Sequence, residues 1–122
     1  MICELDIGNT NCKWRLINGT NVVETGSGAT ASCVELLQAL GIRPQRIRIA
    51  SVAGQEVDQR VRQWVASTWQ IVPEFAATRA KLADLVIAYE DPARLGVDRW
   101  LAMLAAYREY GGPVCVIDVG SA

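Results

Sequence analysis

The sequence contains no histidine. No Ser-His-Asp or Cys-His relay can be assembled from this chain, so any general base has to be Asp, Glu, Lys or Tyr. It also lacks a Cys-x-x-Cys pair: Cys3, Cys12, Cys33 and Cys115 are scattered. Without paired ligand spacing a structural zinc site is not expected, and free reduced thiols are. No apolar run reaches the length of a membrane span. The opening residues, MICELDIGN, carry acids at Glu4 and Asp6 where a secretion signal is basic and then greasy. The expectation is a cytoplasmic protein with no membrane partner. An excess of charge is missing too. Twelve Lys and Arg against thirteen Asp and Glu leave a formal net charge of −1, which offers nucleic acid no electrostatic footprint. What is present is 122 residues, 51% hydrophobic and 20% charged, enough chain and enough apolar content for one domain with a core.

Periodicity organises that chain. ICELD alternates and runs into the turn cluster IGNTN. CKWRLI alternates again, and Asn18 with Gly19 predicts a type I′ hairpin turn. TNVVETG follows, so residues 2–25 predict a three-stranded antiparallel meander. GSGATAS reads as a loop. Ser32 with Glu35 three residues on predicts a capping box for a helix to about Leu40, with Gly41 as its stop. RIRIASV predicts a strand. QEVDQRVRQWVAS spaces Val57, Val61, Trp64 and Val65 as one helical face. WQIV predicts a short strand ended by Pro73, and ATRAKLAD a short helix. From Pro92, a good first-turn residue, the chain reads as helical, at least from Asp98 onward, with Leu101, Leu104 and Ala105 on its inner stripe and a stop at residues 111–113. VCVID predicts a last strand buried on both faces. The order β-β-β-α-β-α-β-α-β implies an α/β fold: a mixed sheet with helices on its faces.

Three short stretches carry chemistry. In DIGNTNCK a strand ends at Asp6, and Gly8 permits a tight turn. Asn9, Thr10, Asn11 and Lys13 then supply amides and a cation, the convergence that phosphate binding needs. The carboxylate of Asp6 suits Mg²⁺ held through waters. An ordinary hairpin turn has the same composition. In YEDPARLGVDRW, Asp98 and Arg99 follow Gly96 at a helix start, where an anion and free amides are favoured; a plain capping acid fits equally. In VIDVGSA, Asp118 ends an apolar strand and needs a metal ion, a phosphate-bound water or local amides to hold it. Two strand-Asp-x-Gly-hydroxyl turns that meet across a cleft grip a nucleotide's phosphates, and a Gly-x-Asp-Arg offers a carboxylate to an acceptor hydroxyl. That is a phosphoryl-transfer layout.

With all three motifs in order, the chain resembles the first half of the type III pantothenate kinases, of the actin, hexokinase and heat-shock-chaperone ATPase superfamily. DIGNTNCK is similar to that family's first phosphate motif, GVDR to its substrate motif with Tyr89 seven residues before Gly96, and DVGSA to its second phosphate motif. The resemblance implies a ribonuclease-H-like domain over residues 1–112, with residues 113–122 opening a second domain. It implies that Asp6, Ile7, Gly8, Asn9, Thr10, Asn11, Cys12 and Lys13, with Gly120 and Ser121, bind ATP phosphates, Asp6 near Mg²⁺. It implies Asp98 as the base that deprotonates pantothenate, with Tyr89, Gly96, Val97 and Arg99 lining the pantothenate site. Asp118 would hold a monovalent cation, K⁺ or NH₄⁺. The activity implied is phosphorylation of pantothenate to 4′-phosphopantothenate, the first step toward coenzyme A, by a homodimer. Because the sequence stops inside the third motif, little or no activity is expected of these residues alone. Two other readings stay open: an accessory factor for transcriptional activation that works through protein partners, and another kinase of the same superfamily. Cys12 is expected to be a packed residue.

Overall fold

The computed structural model describes residues 1–119. The chain forms two compact units, Met1–Ala76 and Ala77–Ala122. In the first, the meander is β1 (Ile2–Ile7), β2 (Asn11–Asn18) and β3 (Asn21–Ala29). Helix α1 (Cys33–Ala39) leads to β4 (Arg46–Ser51), and α2 (Gln55–Trp64) leads to β5 (Glu74–Phe75). The sheet order is β3-β2-β1-β4-β5, antiparallel across the meander and parallel from β1 through β4 to β5. This is the mixed α/β sheet that the element order implied.

Alternation along the strands decides what the sheet buries. The register sets Cys3 beside Leu16 and Ile47, Leu5 beside Trp14 and Ile49, and Ile7 beside Cys12. Side chains two apart point to one face. That face meets Cys33 and Leu37 of α1, Val61 of α2, and Val65 and Trp69 beyond it in one core. Both helices therefore cover the same side. The other side is ionic: Glu4 sits between Arg15, 2.5 Å away, and Arg48, 3.5 Å away. Arg46 forks onto Glu74 with two bonds of 2.7 Å, which holds the Glu74 carboxyl below its ordinary range. These pairs are exposed, so they contribute register more than stability.

The second unit has a hairpin of β6 (Lys81–Leu82) and β7 (Leu85–Val86), then helix α3 (Val97–Tyr110), which ends at Gly111 with φ 66°. Ile87, Leu95, Val97 and Trp100 are buried there. Thr78 Oγ1 donates to the Leu95 carbonyl at 2.8 Å, and Asp91 caps the 3₁₀ turn Pro92–Arg94 through the Ala93 N–H.

Several expectations are corrected. The β2–β3 hairpin loop is Gly19 and Thr20, between Asn18 and Asn21, with positive φ at Gly19 alone. That is the requirement of a type II′ turn, not I′. GSGA is not a loop but the second half of β3. Its glycines serve packing: a Cβ on Gly26 would lie 2.5 Å from the Trp14 indole, and one on Gly28 2.7 Å from Leu36. Ser32 stands at the N-cap of α1 but makes no side-chain cap bond. The chain enters α1 through the 3₁₀ turn Thr30–Ser32, so Ser32 has φ −104° and ψ 19° rather than the extended backbone a capping hydroxyl uses.

WQIV is not a strand. The helix runs on through a π turn, Val65–Trp69, which buries Trp69 edge-on to Trp64 at 5.0 Å. β5 forms on the far side of Pro73, where Glu74 and Phe75 pair with β4. ATRAKLAD supplies β6 and the turn of the β6–β7 hairpin, at Ala83 with φ 51°; pairing overrides the helix propensity of its alanines. On α3 the buried residues are Val97 and Trp100, Leu101 and Leu104 are half-buried, and Ala105 is exposed. VCVID belongs to no strand among the described residues, and Val114, Val116 and Ile117 are exposed. An apolar run becomes a buried strand only where an edge receives it.

The core sets a prediction for stability. Leu37 is 1% exposed, so Leu37→Ala lowers unfolding free energy by about 2–5 kcal/mol in urea denaturation, while Val23→Ala on the exposed edge stays within about 0.5 kcal/mol.

Candidate active site

The first motif is built where β1 ends. Ile7 is buried, and its carbonyl accepts from the Val52 N–H at 2.9 Å. The chain then reverses within four residues: the Gly8 N–H donates to the Asn11 carbonyl at 2.9 Å. A Cβ on Gly8 would lie 2.9 Å from that same oxygen, so the turn depends on glycine by close approach. Thr30 closes it from the other side. Its hydroxyl donates to the Gly8 carbonyl at 2.8 Å, and its N–H donates to the Thr10 carbonyl at 2.9 Å.

These bonds turn the carbonyls of residues 8, 10 and 11 inward. The N–H groups of Asn9 and Thr10 meet no acceptor among the described residues, and both residues are exposed, as are Asn11 and Lys13. Adjacent amides left without a protein acceptor are the groups from which an anion-binding concavity is built. Asp6 is exposed on the ionic face, in register with Lys13. Among the described residues no group of three acids or thiols is spaced to hold a metal directly. A single carboxylate at Asp6 fits Mg²⁺, which keeps most of its waters.

Cys12 points the opposite way. It is fully buried, donates weakly to the Ala29 carbonyl at 3.7 Å, and lies in the same core cluster as Cys33. Packing is its role, and only its backbone reaches the turn. Burial pushes the thiols of Cys3 and Cys33 up to about 12 and raises that of Cys12. Cys3, Cys12, Cys33 and Cys115 are all free, and Cys115 is exposed.

The second motif opens α3. Gly96 is its N-cap, Val97 is buried, and Asp98 and Arg99 are exposed in the first turn. Asp98 Oδ1 accepts from the Arg99 N–H at 2.8 Å. This fixes the carboxylate's direction and leaves Oδ2 without a protein partner among the described residues. Tyr89 is 45% exposed. Asp118 is exposed and sits outside any strand. Gly120 and Ser121 lie outside the described residues. The structure thus gathers residues 6–13 into one turn of the first unit and residues 96–99 into one helix start of the second.

Ser51 at the end of β4 and Asp58 on α2 were missed by sequence reasoning. Ser51 Oγ donates to Asp58 Oδ1 at 2.5 Å and accepts from the Ala53 N–H at 3.3 Å, joining β4 to α2 beside Ile7. Thr30 was missed as well. Each makes its decisive contact with residues distant in sequence or on another element, and no local pattern signals it.

A sequence model of the family described as type III pantothenate kinase matches residues 2–122. The chain belongs to that family. A type III pantothenate kinase of Cellvibrio japonicus is 39% identical over all of this chain and 50% of its own length. That of Nitrosococcus oceani is 32% identical, again over all of this chain and 50% of its own, and that of Hahella chejuensis is 36% identical over 98% and 49%. The chain spans about half the length of the curated relatives it matches. Among solved structures, a Ppx/GppA family member of Aquifex aeolicus covers 62% of this chain and 34% of its own at 10% identity and a TM-score of 0.36, too distant a likeness to carry an argument.

Two outcomes follow from the residue 8–11 turn and from the thiols of the core. Gly8→Ala, which forces the Asn11 carbonyl away, abolishes protection of the residue 8 amide in hydrogen exchange while β4 stays protected. The thiols tie stability to alkaline pH. A thiol raised to about 12 in the folded chain stays protonated after the unfolded chain has lost its proton near 9, so stability falls as pH rises from 9 toward 12. Unfolding midpoints measured across that range show the decline, and Cys33→Ala reduces its slope while the Cys3 and Cys12 contributions remain.

Proposed function

We propose that the chain is the nucleotide- and substrate-binding half of an ATP:pantothenate phosphotransferase, yielding 4′-phosphopantothenate and ADP. The observation that carries this reading is Asp98: an exposed carboxylate in a Gly-Val-Asp-Arg helix start, oriented by the Arg99 N–H, within a chain of the type III family. In this reading Oδ2 of Asp98 accepts the proton of pantothenate's primary hydroxyl. The freed oxygen attacks the γ-phosphorus of ATP, the bond from phosphorus to the bridging oxygen breaks, and ADP leaves. Gly96, Val97 and Arg99 shape the acceptor site with Tyr89.

The free amides of Asn9 and Thr10 and the ammonium of Lys13 hold the phosphates, together with Ile7, Gly8, Asn11 and Cys12 as backbone, and Gly120 and Ser121 from the third motif. Asp6 holds the Mg²⁺ waters, and Asp118 supplies a carboxylate for K⁺ or NH₄⁺. When bound, these cations neutralise phosphate charge. The working protein is a cytoplasmic homodimer, with residues 1–112 as its ribonuclease-H-like domain and residues 113–122 entering the next. No helix of the described residues is long and apolar enough to cross a membrane.

The test is a coupled ADP assay on the full-length protein with pantothenate and potassium. Asp98→Asn lowers kcat by on the order of 10²–10⁴-fold, the usual worth of a general base, while nucleotide affinity is unchanged. Full activity in that variant removes Asp98 as the base, and no pantothenate-dependent ADP from the wild-type protein overturns the kinase reading.

A further inference from the structure

We infer that Thr30 is a positioning residue for nucleotide binding, a clamp that holds the phosphate turn in its anion-accepting form. The inference rests on the reading of residues 6–13 as a phosphate site. Thr30 is the one buried polar residue among those described, 5% exposed. It stands just after β3, in the 3₁₀ turn that enters α1, and belongs to none of the three motifs.

Its two donors are both spent on the turn: Oγ1 on the Gly8 carbonyl at 2.8 Å and N–H on the Thr10 carbonyl at 2.9 Å. A peptide unit whose carbonyl is tied inward presents its N–H outward, because the two groups are antiparallel across a planar bond. Fixing the Gly8 carbonyl therefore aims the Asn9 N–H away from the protein. The Thr10 carbonyl does the same for the Asn11 N–H. Without the clamp, the Gly8 carbonyl, a partial negative charge, is free to rotate toward the place where a phosphate oxygen would sit. A buried carbonyl left without a donor is also costly, which makes the rotated form the better one when the hydroxyl is gone. Thr30 thus biases the turn toward the state with the Asn9 and Asn11 amides outward, before any nucleotide arrives; the Thr10 amide, on the Asn9 peptide, is not held by it.

The discriminating pair is Thr30→Val, which keeps the shape and removes the hydroxyl, and Thr30→Ser, which keeps the hydroxyl. Both are made in the full-length protein. Thr30→Val raises the KM for ATP about tenfold, one lost hydrogen bond's worth of binding, and leaves the KM for pantothenate unchanged. Thr30→Ser restores the wild-type value. In amide exchange, the Gly8 and Thr30 N–H groups of Thr30→Val open faster than wild type, and those of Thr30→Ser do not. Equal rises in both KM values, or wild-type ATP affinity in Thr30→Val, overturn the inference. Should the wild-type protein bind no ATP, the phosphate-site reading falls and the positioning role falls with it. Amide exchange still reports whether the hydroxyl holds the turn.

Discussion

Alternation along β1 carries Cys3, Leu5 and Ile7 into the core and leaves Glu4 and Asp6 on the opposite face. Everything at the first motif depends on this split. Because Ile7 is fully buried between β2 and β4, the strand's end cannot drift, and the Val52 N–H holds its carbonyl. Asp6, one residue earlier, must then point into the ionic face, and Gly8, one residue later, must begin the reversal. A shift of register by one residue would exchange the two sets and bury the acids. Hydrophobic burial, which is non-directional, thus becomes directional through the pleat, and it places a carboxylate beside a glycine turn.

The same logic separates chemistry from packing within the motif. Cys12 and Lys13 are neighbours in sequence and opposites in environment: a fully buried thiol and an exposed ammonium. The thiol helps fix β2 against Ala29 and the core, and the lysine is exposed in register with Asp6. At α3 the division is helical instead. Val97 and Trp100, three residues apart, are buried, and the two residues between them, Asp98 and Arg99, face outward. In both places one or two anchored apolar side chains decide where the polar ones go.

Much of this was legible in the sequence because it rests on local periodicity. The alternation of ICELDI, CKWRLI and RIRIAS, the Val57, Val61 and Val65 stripe, and the Asp-x-Gly and Gly-x-Asp-Arg spacings each declare themselves within ten residues. What escaped depends on partners elsewhere. The glycines of GSGA look like a loop until the Trp14 indole and Leu36 are seen filling the space above them. WQIV has strand composition, yet Trp69 is claimed by the core through a π turn. VCVID has the composition of a buried strand and pairs with nothing among the described residues. Thr30 and Ser51 are ordinary residues whose roles exist only through carbonyls and carboxylates on other elements. Long-range satisfaction of polar groups is the part of a site that composition does not reveal.

The central claim is that the residue 8–11 turn is an anion receptor built in advance of its ligand. The most direct measurement is a nitrogen–proton NMR titration of the full-length protein with Mg·ATP and, separately, with inorganic phosphate. The account predicts that the amide resonances of Asn9 and Thr10 move downfield first and furthest with either ligand, while those of β3 stay in place. Saturating Mg·ATP that leaves Asn9 and Thr10 unmoved, or that shifts them no more than the Asn21–Ala29 strand, would contradict it.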